Sequence, residues 1–425
     1  MDKDVSAKKV NITAADPVFS GRIINAADLG AKGDGVTVNT DIFNNALQKL
    51  SAEGGGTLLI PEGIWQTGPI VLQSNVCIQT ERGTLILFDR DFHHFPFDSR
   101  GKHVPQVSGK GLVNIAITGE GIFDASGDTW HSLKEAKLSA ILLDILKQKG
   151  WKEDGKGYIW PQDVDREKDT RPYMVELTDC RNVLLRDITI QNAPKFALVP
   201  VNCENVHIDH VTVLNEAYAQ NGDGIDISGC RNVVVENCMV SCGDDGIAMK
   251  SGGLSSDGKA LLRDVLVQNC TVYHAHGGFV IGSNTDGGIE NVHVRDCTFM
   301  YTDTGIRFKS GLRRGGLVHN IHISNIRMKD IYYQAVTFST RYEDINAFGN
   351  NSRKNLADGR IPHFTDIYIS DVICDGALEA IQILGLPQMP VDNIHFDNVY
   401  IRSESAGQRE HAENITENRV RVITC

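Results

Sequence analysis

Three short segments gather the residue types that do acid–base and anion chemistry: Asn221-Gly-Asp-Gly-Ile-Asp226, Gly243-Asp-Asp-Gly-Ile-Ala-Met-Lys250 and Gly305-Ile-Arg-Phe-Lys-Ser310. In each, aliphatic residues alternate with polar ones. Successive side chains of a strand point to opposite faces, so with Ile306 and Phe308 turned to a core, Arg307 and Lys309 lie side by side on the other face. By the same rule Ile225, Ile227, Ile247 and Met249 point inward, and Asp223, Asp244 and Asp245 sit at the turn just before each strand. The interval from Asp223 to Asp244 is close to one coil of the repeat described next, which predicts that the two are neighbours one strand spacing apart. Three carboxylates so placed repel one another, which makes a protonated acid beside an ionised base available. Glycoside hydrolysis needs that pair: one carboxyl protonates the leaving oxygen while another activates water, the two about 6.5–9.5 Å apart in an inverting site. A cation pair suits a carboxylate ligand, so the set points to a glycan containing uronic acid.

Each piece has a blander reading. Asp-Asp-Gly is common in turns, Asp226 reads as a solvated surface charge, and an Arg-x-Lys pair is often a wetted face. Their coincidence on one side of neighbouring strands favours chemistry. Two segments share the spelling without the context: Asn39-Thr-Asp41 reads as a helix start, and Asn284-Thr-Asp286 as a turn with no Asp-Asp partner one coil on. Gly30-Ala-Lys-Gly-Asp-Gly35 lacks the Gly-Lys-Ser/Thr ending of a phosphate loop and reads as a turn.

The elements that must position these residues form a repeat. A phrase reading (Asn/Asp)-aliphatic-x-apolar-x-(Asp/Asn) centres on Asn182, Asn205, Asn232, Asp264, Asn291, Asn320, Asp366 and Asn393, with a weaker copy at Asn114. The interval between copies is nearly regular and stretches markedly only between Asn320 and Asp366. Period-two alternation marks strands with one buried face, and the Asp/Asn interruptions mark turns. Short strands and turns at this period predict an all-β parallel solenoid, its coils about 4.8 Å apart. The one long interval implies a loop insertion near residues 341–360. A helix capped by Asn39 or Thr40 and running to Glu53, with Ile42, Phe43, Ala46, Leu47 and Leu50 on one face, is expected to cap the apolar end of the solenoid. A second helical stretch over residues 132–149 reads as a lid or as packing against the coils, with packing favoured. The domain plan is an N-terminal tail over 1–22, a single β-helix domain over 23–402 (cap 23–75, helical insertion 131–150), and a C-terminal strand or tail over 403–425.

Composition narrows the partners. The chain has 425 residues with 42 Lys plus Arg against 54 Asp plus Glu, a net charge of −12. With no basic block, nucleic-acid binding is not expected. No apolar run approaches the ~20 residues of a membrane span; the strongest, residues 140–146, is interrupted by Asp144. The start of the chain, Met1 to Val10, is charged and lacks the apolar centre of a signal peptide, so the protein is intracellular or a signal has been removed. Among the 10 cysteines, Cys180, Cys203 and Cys230 share one repeat phase and Cys238, Cys270 and Cys297 another. That spacing favours buried, stacked thiols over a zinc site, with some disulfides as the alternative.

The motif set resembles that of family 28 of the glycoside hydrolases, the polygalacturonases and related pectin hydrolases, whose motifs read Asn-Thr-Asp, Gly/Gln-Asp-Asp, Gly-His-Gly and Arg-Ile-Lys. The counterparts are Asn221-Gly222-Asp223, Gly243-Asp244-Asp245, Ala275-His276-Gly277 and Arg307-Phe308-Lys309. Likeness at Asp28-Leu-Gly-Ala-Lys-Gly-Asp-Gly35, Gly119-Glu-Gly-Ile-Phe-Asp124 and Asn192-Ala-Pro-Lys-Phe196 extends it to about residues 25–345. The resemblance implies a right-handed parallel β-helix and inverting hydrolysis with no metal or other cofactor. It implies Asp244 as general acid, Asp223 with Asp245 holding the attacking water, and Asn221, His276, Arg307 and Lys309 as the substrate-binding set. Gly222 in place of Thr loosens the first turn. Counting back from Ile281-Gly-Ser283 sets the family histidine on Gly277, and a one-residue bulge would bring His276 to that place. The insertion over residues 251–262 and the helical stretch near Leu138 would wall one end of a cleft and favour attack from a chain end. A pectic poly- or oligosaccharide is the implied substrate, met by a monomer in the periplasm or outside the cell. Two alternatives stay open: a calcium-dependent pectate lyase with Asp223, Asp244 and Asp245 around the ion, and a non-catalytic glycan-binding solenoid.

Overall fold

The computed structural model describes residues 12–161, 164, 170–253, 258–312, 314–342 and 360–424. The loop insertion expected near residues 341–360 lies mostly outside them, as does the centre of the one at 251–262.

The repeat phrase is built on backbone strain that Asn and Asp absorb. Asn182, Asn205, Asn232, Asp264, Asn291, Asn320, Asp366 and Asn393 all have φ between 50 and 60°, the left-handed region where a short polar side chain is tolerated. Their amides then stack from coil to coil, Asn205 Nδ2 donating to Asn182 Oδ1 at 2.9 Å and Asn232 Nδ2 to Asn205 Oδ1 at 2.8 Å. Each turn of this kind redirects the chain, so a coil contributes three strands. Val175–Thr178, Arg181–Arg186 and Thr189–Gln191 form one coil, and Leu198–Val201, Glu204–Asp209 and Thr212–Leu214 the next. Each strand pairs in parallel with its equivalent one coil on. The result is a right-handed parallel β-helix. Inward residues stack in columns such as Ile225, Ile247, Phe279, Ile306 and Val336, all fully or almost fully buried. The nine described cysteines lie buried with free thiols, and Cys203 N–H donates to Cys230 Sγ at 3.2 Å.

The helix Thr40–Ala52 closes the N-terminal end, burying Phe43, Ala46, Leu47 and Leu50. Asn39 stands at its N-cap position but makes no capping bond. Its buried amide instead accepts from Lys32 N–H at 2.8 Å and donates to the carbonyl oxygens of Lys32, Thr37 and Gln66, which ties the preceding loop to the first coils.

One expectation needs correction. The helix within residues 132–149 is confined to Ala140–Gln148 and buries none of its residues; Ile141 is 75% exposed. The helix therefore does not pack into the core. It follows the short strand Leu133–Lys134, which joins Tyr158–Trp160 and Lys152–Glu153 in a separate antiparallel sheet. At the other end, the segment 403–425 takes the strand form of its two expected readings: Ala412–Thr424 pairs in parallel along Val391–Ser403, so the coils continue past residue 402.

Candidate active site

Four successive strands of one face carry the three chemical segments: Ile225–Ser228, Asp245–Lys250, Gly277–Gly282 and Ile306–Lys309. Ile225 pairs with Ile247, and Gly224 N–H donates to Asp245 O at 2.9 Å. This pairing brings Asp223 beside both Asp244 and Asp245, so the neighbourhood of Asp223 and Asp244 expected from the interval along the chain holds. Glycines follow the acids for a steric reason. A Cβ on Gly224 would meet Val240 Cγ1 at 2.4 Å, and one on Gly246 would meet Val272 Cγ1 at 2.6 Å. The backbone must press on the core there to hold each carboxylate at the strand's start. Gly246→Ala is accordingly expected to cost about 1–3 kcal/mol, read as a lower urea midpoint at unchanged slope.

The three carboxylates differ in access. The Asp244 side chain is 21% exposed, while those of Asp223 and Asp245 are each 3% exposed. One oxygen of each lies within 4.8 Å of the others. Lysines hold the two buried ones: Lys309 Nζ donates to both oxygens of Asp245, at 2.7 and 3.0 Å, and Lys250 Nζ to Asp223 Oδ2 at 2.8 Å. Burial pushes the Asp245 carboxyl up, but Lys309, Lys250 and Arg307 outweigh it and hold the group at about 2. Asp223 ends on the other side. Burial drives it up, Lys250 opposes, and Asp226, Asp244 and Asp245 add repulsion, so it sits well above the ordinary carboxylate range.

His276 stands one coil on from Asp244. Its N–H donates to Asp244 O at 2.7 Å, its Nδ1 lies 3.2 Å from Asp244 Oδ1, and its Nε2 lies 3.7 Å from Asp303. The pairing of Asp245 with Gly277 and Ile247 with Phe279 keeps one offset throughout, so His276 reaches Asp244 without the expected bulge. The bond to Asp244 raises the imidazole's affinity for a proton against the opposing effect of burial. Arg307 Nη1 lies 3.6 Å from Asp245 Oδ1 and donates to His276 O at 3.4 Å. Both Arg307 and Lys309 also lie over the Tyr342 ring, at 5.6 and 5.2 Å. Asn221 Oδ1 accepts from Arg171 Nη2 at 3.1 Å, and buried Arg171 in turn lies over the Trp160 indole.

The structure therefore brings Asn221, Asp223, Asp244, Asp245, His276, Arg307 and Lys309 together. Asn221, the three acids and Lys309 line a cleft of about 980 Å³. Sequence reasoning missed Lys250, although the alternation that singled out Lys309 applies to it equally: Met249 points in, so Lys250 points out. It also misread Asp226, which is no surface charge but 1% exposed and bonded to Lys250. Arg171 and Tyr342 carry no such signal, because loops outside the repeat deliver them.

Residues 56–422 match the profile of glycosyl hydrolases family 28. The chain belongs to that family. Among relatives of this family 28 protein, a probable polygalacturonase of Vitis vinifera is 26% identical over 88% of this chain and 73% of its own length. An exo-poly-alpha-D-galacturonosidase of Dickeya chrysanthemi is 27% identical over 86% of this chain and 64% of its own, so the match spans less than two thirds of that enzyme. The crystal structure of a hyperthermoactive exopolygalacturonase from Thermotoga maritima superposes with a TM-score of 0.78 at 28% identity, covering 96% of this chain and 93% of the other.

Proposed function

We propose that this family 28 protein is an inverting hydrolase of galacturonosyl linkages in pectic poly- or oligosaccharides, acting from a chain end. The observation that carries the reading is the division of three adjacent carboxyls into one accessible and two buried. Asp244 alone is exposed enough to reach a glycosidic oxygen, and it donates the proton as the C1–O bond breaks. Water held at Asp223 and Asp245 attacks C1 from the other face and gives up its proton to a carboxylate there. Arg307, Lys309 and His276 supply the positive charge that a uronate seeks, and Asn221 is fixed beside them by Arg171. The galacturonate specificity and the chain-end mode follow the named activities of the Dickeya and Thermotoga proteins.

Inversion needs its own argument, because carboxyl oxygens within 4.8 Å are closer than the ~6.5–9.5 Å usual for an inverting pair. A retaining mechanism requires a carboxylate whose oxygen reaches the sugar carbon. The Asp223 and Asp245 side chains are each only 3% exposed, with Lys309 on both oxygens of Asp245 and Lys250 on one of Asp223, which favours water over either carboxylate as the attacking group. The same lysines argue against the lyase reading: a calcium ion among the three acids would have to displace ammonium groups already in contact with two of them.

No helix among the described residues is long and apolar enough to cross a membrane. A pectic substrate is met in the periplasm or outside the cell, which supports that location, and the helix Thr40–Ala52 closing the N-terminal end of the coils supports action as a monomer. Digestion of polygalacturonate and of trigalacturonide in EDTA is the test. The expected result is new reducing ends, galacturonate as the first product, no rise in ultraviolet absorbance, and the inverted anomer in proton spectra taken within the first minutes. Absorbance that depends on added calcium would overturn it in favour of elimination.

A further inference from the structure

Below the accessible acid, two carboxylates share one ammonium. Lys250 Nζ bonds Asp223 Oδ2 at 2.8 Å and also Asp226 Oδ2, and all three side chains are largely or wholly buried. The strand register explains the reach. Asp226 pairs with Ala248, whose methyl leaves room beside it, and Lys250 lies opposite Ser228, two residues further along. The ammonium can then fold back between the two acids, resting 4.2 Å from the Phe196 ring centroid. The remaining oxygens, Asp223 Oδ1 and Asp226 Oδ1, are buried and have no hydrogen-bond partner among the described residues. Buried acceptors are normally satisfied, and both residues line the cleft. Asp245 offers nothing equivalent, since Lys309 occupies both its oxygens.

We propose that Asp226 and Lys250 are positioning residues for Asp223: Asp226 anchors the ammonium, the ammonium fixes Asp223 Oδ2, and Asp223 Oδ1 is thereby the oxygen that takes the proton of the attacking water. This rests on the reading of Asp223 as a water-holding carboxylate and refines it, because Asp245 becomes a fixed negative charge rather than an alternative base. The step balances: a water O–H bond breaks, its oxygen bonds C1, the proton passes to Asp223 Oδ1, and the glycosidic oxygen leaves with the proton of Asp244. Burial and the neighbouring charges Asp226, Asp244 and Asp245 favour a proton on Asp223, and Lys250 opposes them. The Cys242 thiol also faces Asp223. Lys309 and Arg307 face Asp245, and Arg100 holds Glu176 two rungs away from Asp226.

Two substitutions then act in opposite directions. Asp226→Asn removes a repelling charge and leaves the ammonium wholly to Asp223, so the acid limb of kcat/KM moves to lower pH. Lys250→Met removes the attracting charge and moves that limb to higher pH. Each lowers kcat by about tenfold to a hundredfold with KM for trigalacturonide within about twofold, and Lys250→Arg keeps the wild-type limb. If Lys250→Met does not fold, Asp226→Asn and Lys250→Arg still decide the matter. A rise in KM alone for Asp226→Asn makes it a sugar contact, and an unmoved limb makes it structural; either overturns the proposal. Asp244→Asn is run beside them. If it is inactive while Asp226→Asn behaves as wild type, only the positioning role fails; if it retains full activity, the hydrolase assignment fails and takes the positioning role with it.

Discussion

Asp244→Asn is expected to lower kcat on oligogalacturonides by about 10²–10⁴-fold, the range of a lost general acid or base, while KM stays within a few-fold and the fold is unchanged. The change is isosteric, and an asparagine oxygen still accepts from His276 Nδ1, which lies 3.2 Å from Asp244 Oδ1. What disappears is the proton for the leaving oxygen. The loss should therefore depend on the leaving group. An aryl galacturonide with an acidic phenol needs little protonation, and on it Asp244→Asn should recover most of the wild-type rate. Asp223→Asn and Asp245→Asn, which disturb the water instead, should be equally poor on both substrates. Equal losses for Asp244→Asn on the two substrates would show that another group is the acid.

Lys309→Met is expected to be the most destabilising single change at the site, by about 3–5 kcal/mol, the cost of breaking a buried ion pair from one side. Lys309 and Asp245 are 7% and 3% exposed and joined by two bonds, so little solvent screens them. The dependence on pH follows from Asp245, whose carboxyl is held at about 2 against an ordinary 3.8. A depressed folded value contributes stability that is complete above about 4 and fades as pH falls toward 2. The deficit of Lys309→Met in urea unfolding should therefore be greatest above pH 5 and narrow below pH 4. Adding Asp245→Asn should restore much of the stability, because the uncompensated charge is gone, without restoring activity. A single variant as stable as wild type at pH 6 would mean that the pair is not closed in solution.

Both experiments turn on residues legible in the amino-acid sequence alone, and the reason is local. In a solenoid each coil is one short contiguous run of chain, so alternation, turn asparagines and the glycine after an acid are all written within a single repeat. Ile306 and Phe308 in the core are enough to put Arg307 and Lys309 outside. The same logic would have found Lys250 had it been applied to the last residue of its segment. Asp226 was misread because alternation tells which face a side chain takes but not what covers that face, and here a lysine and the cleft walls cover it. The helix Ala140–Gln148 failed for a related reason: an apolar stripe shows that a surface could be buried, and in this fold nothing buries Ile141.

The sequence by itself determined the coil and its repeat, the capping helix, and the set of acids and cations on one face. Tertiary structure alone decided the register. The pairing of Ile225 with Ile247 brings the three acids together and leaves Asp244 beside His276, while lysines cover the other two and leave Asp244 the exposed one. Coil length varies with each turn, and pairing follows the stacking of core columns rather than the count of intervening residues. Arg171, Tyr342 and the lysine bridges belong to the same class: long side chains and loops from distant parts of the chain meet at the cleft, and only the packed fold fixes which of them arrive.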